Sequence, residues 1–200
     1  MGHHIGSKNS IVPLIDRLNK YPVGLVDNEK LRKILSLLFD EEEAFVASRF
    51  PLEEVLLSEL ARTTKMPEHR LLPVLERMAD KGLVMDIPYA DKVYYLLMPG
   101  LIGFFEFTFM KSRDDLPLAD VAKLMADYMY ENTQTGQARE FFGSRTSLTR
   151  SLVYEDQIPF NSEVTSYESA RQIIKNASFG AAGMCYCRHK KEHLDEAGAR

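Results

Sequence analysis

The apolar positions in the first fifty residues repeat with the period of amphipathic helices. Their i, i+3, i+4, i+7 spacing predicts one helix over residues 11–21 and a second over residues 31–38. Asp27 precedes the second stripe, and we expect it to be the N-cap of that helix. A short third helix is predicted over residues 41–49, because the proline that follows disfavours further helix. The chain therefore begins with three packed helices.

A change of period marks the next stretch. A short helix, a turn at residues 65–67 and a second helix over residues 68–81 come first, and Gly82 is placed to end that helix. Two β-branched and aromatic runs, 83–87 and 93–97, then predict a hairpin. Helix, turn, helix and a two-stranded hairpin in this order are typical of a winged helix.

Beyond position 100 the pattern is more irregular. Residues 101–109 hold four phenylalanines, which we expect to pack as core between the two halves of the chain rather than to form an exposed docking patch. A helix is predicted to open after residues 114–117, and another short helix over residues 136–143. Residues 144–162 lack a strong period and are predicted as loop with one strand.

The last predicted helix precedes a small apolar run. A capping box at residues 165–168 predicts a helix that ends at Asn176, with Ala170, Ile173 and Ile174 facing inward. The run that follows is small and apolar, as in a buried strand. The predicted fold class is α+β and mostly helical, with a winged-helix N-terminal domain followed by a small α/β region.

The domain boundaries follow from these patterns. Residues 1–10 are expected to be disordered or tag-like, and residues 11–100 to form the winged-helix domain. Residues 101–200 are expected to be a linking α/β region that ends in a Cys-x-Cys segment.

Both cysteines of the protein, Cys185 and Cys187, lie at the end of the predicted strand over residues 179–185. In an extended strand, side chains at i and i+2 share a face, so the two thiols could reach one metal centre. A disulfide between them would close a strained ring. The alternative is a pair of buried thiols that end a core strand.

Two histidines follow the thiols. With Cys185 and Cys187, His189 and His193 make four nitrogen and sulfur ligands, the number that tetrahedral zinc takes. The pairs are closer together in the sequence than in usual zinc fingers. The alternative is that residues 188–193 form a basic segment that faces solvent.

The segment from Ala182 to Leu194 reads Ala-Gly-Met-Cys-Tyr-Cys-Arg-His-Lys-Lys-Glu-His-Leu. It resembles the Cys-x-Cys-Arg-His-x-x-x-His-Leu segment of microbial iron–sulfur proteins described as four-iron ferredoxins. The resemblance extends along most of the chain, and it implies a winged-helix region, a linking α/β region, then this segment. In that family further cysteines and a ferredoxin domain come next, whereas the present sequence continues Asp-Glu-Ala-Gly-Ala-Arg.

The resemblance implies an iron–sulfur cluster with Cys185 and Cys187 among its ligands. Two thiolates do not complete the usual four-cysteine ligation, so we expect that this chain does not assemble a cluster alone. The expected partner is a redox protein or a ferredoxin domain that would follow the segment, and a homodimer could pool two thiol pairs. The implied function is the front part of a ferredoxin-like electron-transfer protein, whose winged helix is a scaffold or a protein-docking module.

Composition limits the function further. Of the 200 residues, 45% are hydrophobic and the net charge is −4, as expected for a protein with a substantial core. The longest apolar run is too short to cross a bilayer. Two neighbouring cysteines, rather than a spaced set, favour a reducing compartment, so we expect the cytoplasm. No phosphate-binding glycine loop or nucleophile motif is present, and we expect no enzymatic activity.

The first alternative function is a DNA-binding transcriptional regulator, which could respond to redox state or to a metal through the same cysteines. Its DNA contacts would be Arg70, Arg77 and Lys81 on the second helix of the winged-helix motif. Residues 66–81 carry as many acidic as basic side chains, however, and residues 82–99 carry a net charge of −1. Because phosphate neutralisation supplies most non-specific affinity, we expect little DNA binding. A zinc-binding interaction module is the second alternative.

Overall fold

The computed structural model describes residues 8–132, 134–143 and 165–194. The loop and strand predicted over residues 144–162 lie outside these residues. The described part is mixed α/β and mostly helical, with one small antiparallel sheet. Its helices are α1 (Lys8–Leu18), α2 (Glu29–Leu38), α3 (Glu41–Ala47), α4 (Leu57–Thr64), α5 (Glu68–Asp80), α6 (Phe105–Phe107), α7 (Leu118–Tyr130), α8 (Gln137–Gly143), α9 (Tyr167–Asn176) and α10 (Tyr186–Glu192).

The sheet has three strands: β1 (Val55–Leu56), β2 (Val84–Tyr89) and β3 (Lys92–Leu97). Their order is β1-β3-β2, and both pairings are antiparallel. The predicted hairpin is confirmed in β2 and β3. Strand β1 was not predicted, because two residues are too few to show an alternating pattern.

Gly82 connects α5 to the hairpin in a left-handed conformation, with φ of 77°. A Cβ atom at this position would lie 2.7 Å from the Cβ of Phe107. The prediction that Gly82 ends the helix is therefore confirmed, and the close approach of Phe107 is a second reason for glycine here.

The N-cap of α2 is a polar side chain one residue beyond the predicted one. Asn28, and not Asp27, is the N-cap of α2: its side chain accepts a hydrogen bond from the Leu31 amide over 3.0 Å. Asp27 instead pairs with Arg32. Asp and Asn are both favoured N-caps, but only the residue directly before the helix places its side-chain oxygen next to a free backbone amide of the first turn. The prediction of Asp27 was wrong by that residue.

A continuous core joins the helices before and after position 100. Helix α2 packs against α7. Three of the four phenylalanines over 101–109 are buried, as predicted, while Phe107 is 37% exposed. Phe104 is fully buried, with its ring 5.7 Å from that of Phe39 and 5.3 Å from that of Phe105, both in edge-to-face geometry.

The region before the cysteines differs from the prediction. Helix α9 has no buried residue, and Ile173 and Ile174 are 66% and 74% exposed, so their predicted inward position was wrong. Its N-cap is Ser166, whose side chain accepts from the Ser169 amide, so the predicted box between Thr165 and Glu168 was wrong by one residue. Residues 179–185 form no strand and are exposed, so the predicted buried strand was also wrong.

Candidate functional site

The Cys-x-Cys segment is attached to the core at the end of α6. The Met184 amide donates a hydrogen bond to the Met110 carbonyl oxygen over 2.8 Å. Helix α10 begins two residues later and contacts α6 and α7. Tyr186 and Leu194, near its two ends, are half-buried against the core. The segment therefore lies on the core surface and does not extend from it.

Both thiols are free and exposed. Cys185 is the N-cap residue of α10, with φ of −70° and ψ of 110°, and Cys187 is the second residue of the helix. Side chains two positions apart in a helix do not face each other. The prediction that a strand places both thiols on one face was therefore wrong, because the helix begins between them.

The two histidines meet one turn further along. His189 lies within α10 and His193, four positions later, is the C-cap residue of that helix, and their Nε2 atoms are 3.2 Å apart. Nδ1 of His189 lies 2.8 Å from the Phe109 carbonyl oxygen. Because a carbonyl oxygen only accepts, Nδ1 of His189 carries a proton, and in the neutral ring Nε2 is then unprotonated. The lone pair of this Nε2 accepts a hydrogen bond from Nε2–H of His193.

Phe109 supports both rings of this pair. It is fully buried, and its ring centroid is 6.1 Å from that of His189 and 6.2 Å from that of His193. His189 is only 7% exposed, and the two imidazole centroids are 4.9 Å apart. The sequence alternative in which both histidines face solvent is therefore wrong for His189. The i, i+4 spacing could have indicated the pairing, but nothing in the sequence indicates the Phe109 carbonyl.

Tyr186 lies between the two cysteines. A hydrogen bond with Cys187 raises the pKa of Tyr186 to about 12, with further contributions from burial and from the Cys187 charge. The phenol is consequently neutral at physiological pH.

The three basic residues predicted for DNA contact are engaged with the acidic start of α3. Arg70 donates to Glu42 Oε1 over 3.0 Å, and Lys81 donates to Glu43 Oε2 over 2.7 Å. Arg77 lies within 4.0 Å of carboxylate oxygens of Asp40, Glu42 and Glu43, the closest being 3.5 Å away. The charge on this face is therefore largely balanced within the chain.

Other features of the described residues set limits on the site. Nowhere in the described ranges do three or more histidine, cysteine or acidic side chains form a group suited to a metal ion. Among the described helices, none has the length and apolar character needed to cross a membrane. Comparison with known proteins gave no matching family model, no matching curated protein and no matching solved structure.

Proposed function

We propose that this chain is the front part of an iron–sulfur electron-transfer protein and that Cys185 and Cys187 are its contribution to cluster binding. The observation that carries the proposal is that both thiols are free and exposed at the start of a helix that packs against the core. Helix α10 holds them at a defined place on the surface without covering them. The sequence resemblance of this segment to four-iron ferredoxins supplies the identity of the cluster.

The donor set of the chain fits half of such a group. Iron–sulfur clusters take cysteine thiolates, usually four, and this sequence has two. Cys185 and Cys187 would each supply one ligand, and the others would come from a ferredoxin domain, a redox partner or a second copy of this chain. When bound, the cluster would accept and release single electrons.

The surroundings of the thiols suit docking to an acidic redox partner. Arg188, Lys190 and Lys191 follow Cys187 directly, and Arg188 and Lys191 are exposed. A local excess of positive charge accelerates encounter with a negatively charged surface. The overall charge of −4 means that this attraction is confined to the region around the thiols.

Residues 11–100 are, in this proposal, a winged-helix scaffold. Its support is the order α3, β1, α4, α5, β2 and β3, with the hairpin packed beside two helices. DNA binding is disfavoured because Arg70, Arg77 and Lys81 already pair with carboxylates. Two free thiols also suit a reducing compartment, which supports our proposal of a cytoplasmic protein.

Anaerobic reconstitution with ferrous iron and sulfide tests the proposal. The chain alone should stay colourless, because it lacks half the ligands. Adding glutathione supplies the outstanding thiolates, and a visible absorption that bleaches with dithionite should then appear in association with the protein.

A C185S/C187S variant should abolish this absorption. H69A, which alters an exposed histidine in α5, should leave it unchanged. Absorption of equal strength in the C185S/C187S variant, or none in the unaltered chain with glutathione, would contradict the proposal. Circular dichroism of each variant verifies that the fold is retained.

A further inference from the structure

The geometry points to a second, separate site: His189 and His193 form a two-histidine site for a divalent transition-metal ion such as Zn²⁺, bound through both Nε2 atoms. The site uses neither thiol. It therefore differs from the four-ligand zinc arrangement that the sequence suggested, and it does not depend on the proposed iron–sulfur function.

The distance between the two nitrogens suits a shared ion. With zinc–nitrogen bonds of about 2.0–2.1 Å, two nitrogens 3.2 Å apart subtend roughly 100° at the metal, near the tetrahedral angle. The ring centroids are 4.9 Å apart, closer than a head-on arrangement of the rings allows. Each imidazole ring is therefore tilted away from the line that joins the two Nε2 atoms. Such a tilt is needed if both nitrogens are to bind one ion.

The tautomer of the neutral His189 ring already suits a ligand. Its Nδ1–H donates to the Phe109 carbonyl oxygen over 2.8 Å, which fixes the tautomer and the ring orientation. Histidines that bind metals usually donate their other ring N–H in this way. His189 is also held by burial, so little conformational freedom is lost when Nε2 binds.

His193 needs one change to become the second ligand. Its Nε2–H now donates to His189, and on metal binding this proton moves to Nδ1 of the same ring. The proton count of the imidazole is unchanged, and both Nε2 lone pairs then bind the ion. His193 is half-buried, so its side chain borders solvent and an ion has a route to the pair.

The remaining coordination positions would be taken by water or by a donor from a partner. Imidazole nitrogen suits Zn²⁺, Co²⁺, Ni²⁺ and Cu²⁺. Cys185 lies one helical turn before His189 on the same stripe, but as the exposed N-cap it is not needed for the two-nitrogen geometry.

Titration of the full chain with Zn²⁺ by isothermal calorimetry tests the site. A background variant, H3A/H4A, first removes the two histidines near the start of the sequence, which could bind the same ion. We expect one Zn²⁺ per chain in this background and a reduction in affinity of roughly 10-fold to 100-fold on adding H193A. H69A is the matched control and should change the affinity by less than about 3-fold.

The C185S/C187S variant separates this site from the proposed cluster ligands. It should bind Zn²⁺ as tightly as the background, while H193A should leave the glutathione-dependent iron–sulfide absorption intact. In ¹⁵N spectra of histidine-labelled protein, Zn²⁺ should shift Nε2 of His189 and His193 and leave His69 unchanged. Because H193A leaves the hydrogen bond from His189 to the Phe109 carbonyl in place, it tests the site while keeping that attachment of α10.

Three results would overturn the inference. They are loss of Zn²⁺ binding in C185S/C187S, unchanged binding in H193A, and Zn²⁺-induced shifts confined to His69 or to no histidine.

Discussion

Lys81 donates a hydrogen bond from Nζ to Oε2 of Glu43 over 2.7 Å, and the Glu43 side chain is completely buried. The same carboxylate oxygen accepts from the Asp40 amide over 2.9 Å, while Asp40 accepts from the Glu43 amide over 2.8 Å. This capping box starts α3, and the lysine ties it to the end of α5. One carboxylate thus joins the first helices to the hairpin region.

Replacing Glu43 by Ala should lower the free energy of unfolding by about 3 kcal/mol, since breaking a buried ion pair leaves Lys81 without its partner in a largely buried place. Urea unfolding measures the loss. E53Q, an exposed position, is the control and should change stability by no more than about 0.5 kcal/mol.

The ion pair itself is isolated by a double-mutant cycle with E43Q and K81M. We expect the two single losses to be non-additive by at least about 1 kcal/mol. Additive losses would show that the capping interaction alone carries the effect of Glu43.

The carboxylates at the start of α3 also predict the response to DNA. Because Arg70 and Arg77 are paired with carboxylates, the chain should not bind random duplex DNA at physiological salt, and R70A or R77A should not change this. Fluorescence anisotropy over a range of salt concentrations measures it. Micromolar affinity that falls steeply with salt, and falls again in R77A, would contradict the prediction.

Tyr128 predicts how stability falls at alkaline pH. Its hydroxyl is 2.6 Å from Oε1 of Gln137, which also accepts from the Val26 amide, and burial raises the pKa of Tyr128 far above its ordinary value. The folded chain keeps the phenol neutral, whereas the unfolded chain loses that proton near about pH 10. The contribution is therefore fully present below about pH 10 and is lost as the pH rises above it.

Y128F should cost about 1 kcal/mol at neutral pH through the lost hydrogen bond, and should show a smaller fall in stability between about pH 9 and pH 11. Urea unfolding at both pH values tests this. Y89F alters an exposed phenol in the hairpin and should retain the larger fall of the unaltered chain. Equal falls in Y128F and Y89F would be inconsistent with the role given to burial.

The attachment of α10 can be followed by amide exchange. H189A removes the hydrogen bond to the Phe109 carbonyl, so the amides of Met184 and of α10 should exchange faster while those of α7 do not. H69A is again the control. Unchanged exchange at Met184 in H189A would mean that the half-buried Tyr186 and Leu194 hold the helix by themselves.

Regular periodicity explains which parts of the fold could be predicted. The apolar stripe in α5 and the β-branched and aromatic runs of β2 and β3 are long enough to identify these elements. Residues 179–185 are small and apolar and include no charged residue. Such a sequence is compatible with a buried strand and equally with an extended segment on the surface. In the fold this segment pairs with no strand of the described sheet and lies exposed.

The candidate site was predictable only in its residue types. Cys185, Cys187, His189 and His193 were identified from the sequence, but the helix that begins at Tyr186 separates the thiols and unites the imidazoles. The Phe109 carbonyl, 80 positions earlier, decides the tautomer of His189. A backbone acceptor has no signature in the sequence, so this contact could be found only in the fold.

The length of that separation also bears on the order of folding. Closing a loop of 80 residues costs more chain entropy than forming the hairpin of β2 and β3, and a seven-residue helix is not stable by itself in water. We therefore expect α10 to dock late, after the core that contains Phe109 has formed. Until then the two imidazoles have no fixed geometry. A metal ion that binds both would therefore act on the last step of folding: it would slow the release of α10 from the core and leave the rate of core assembly unchanged.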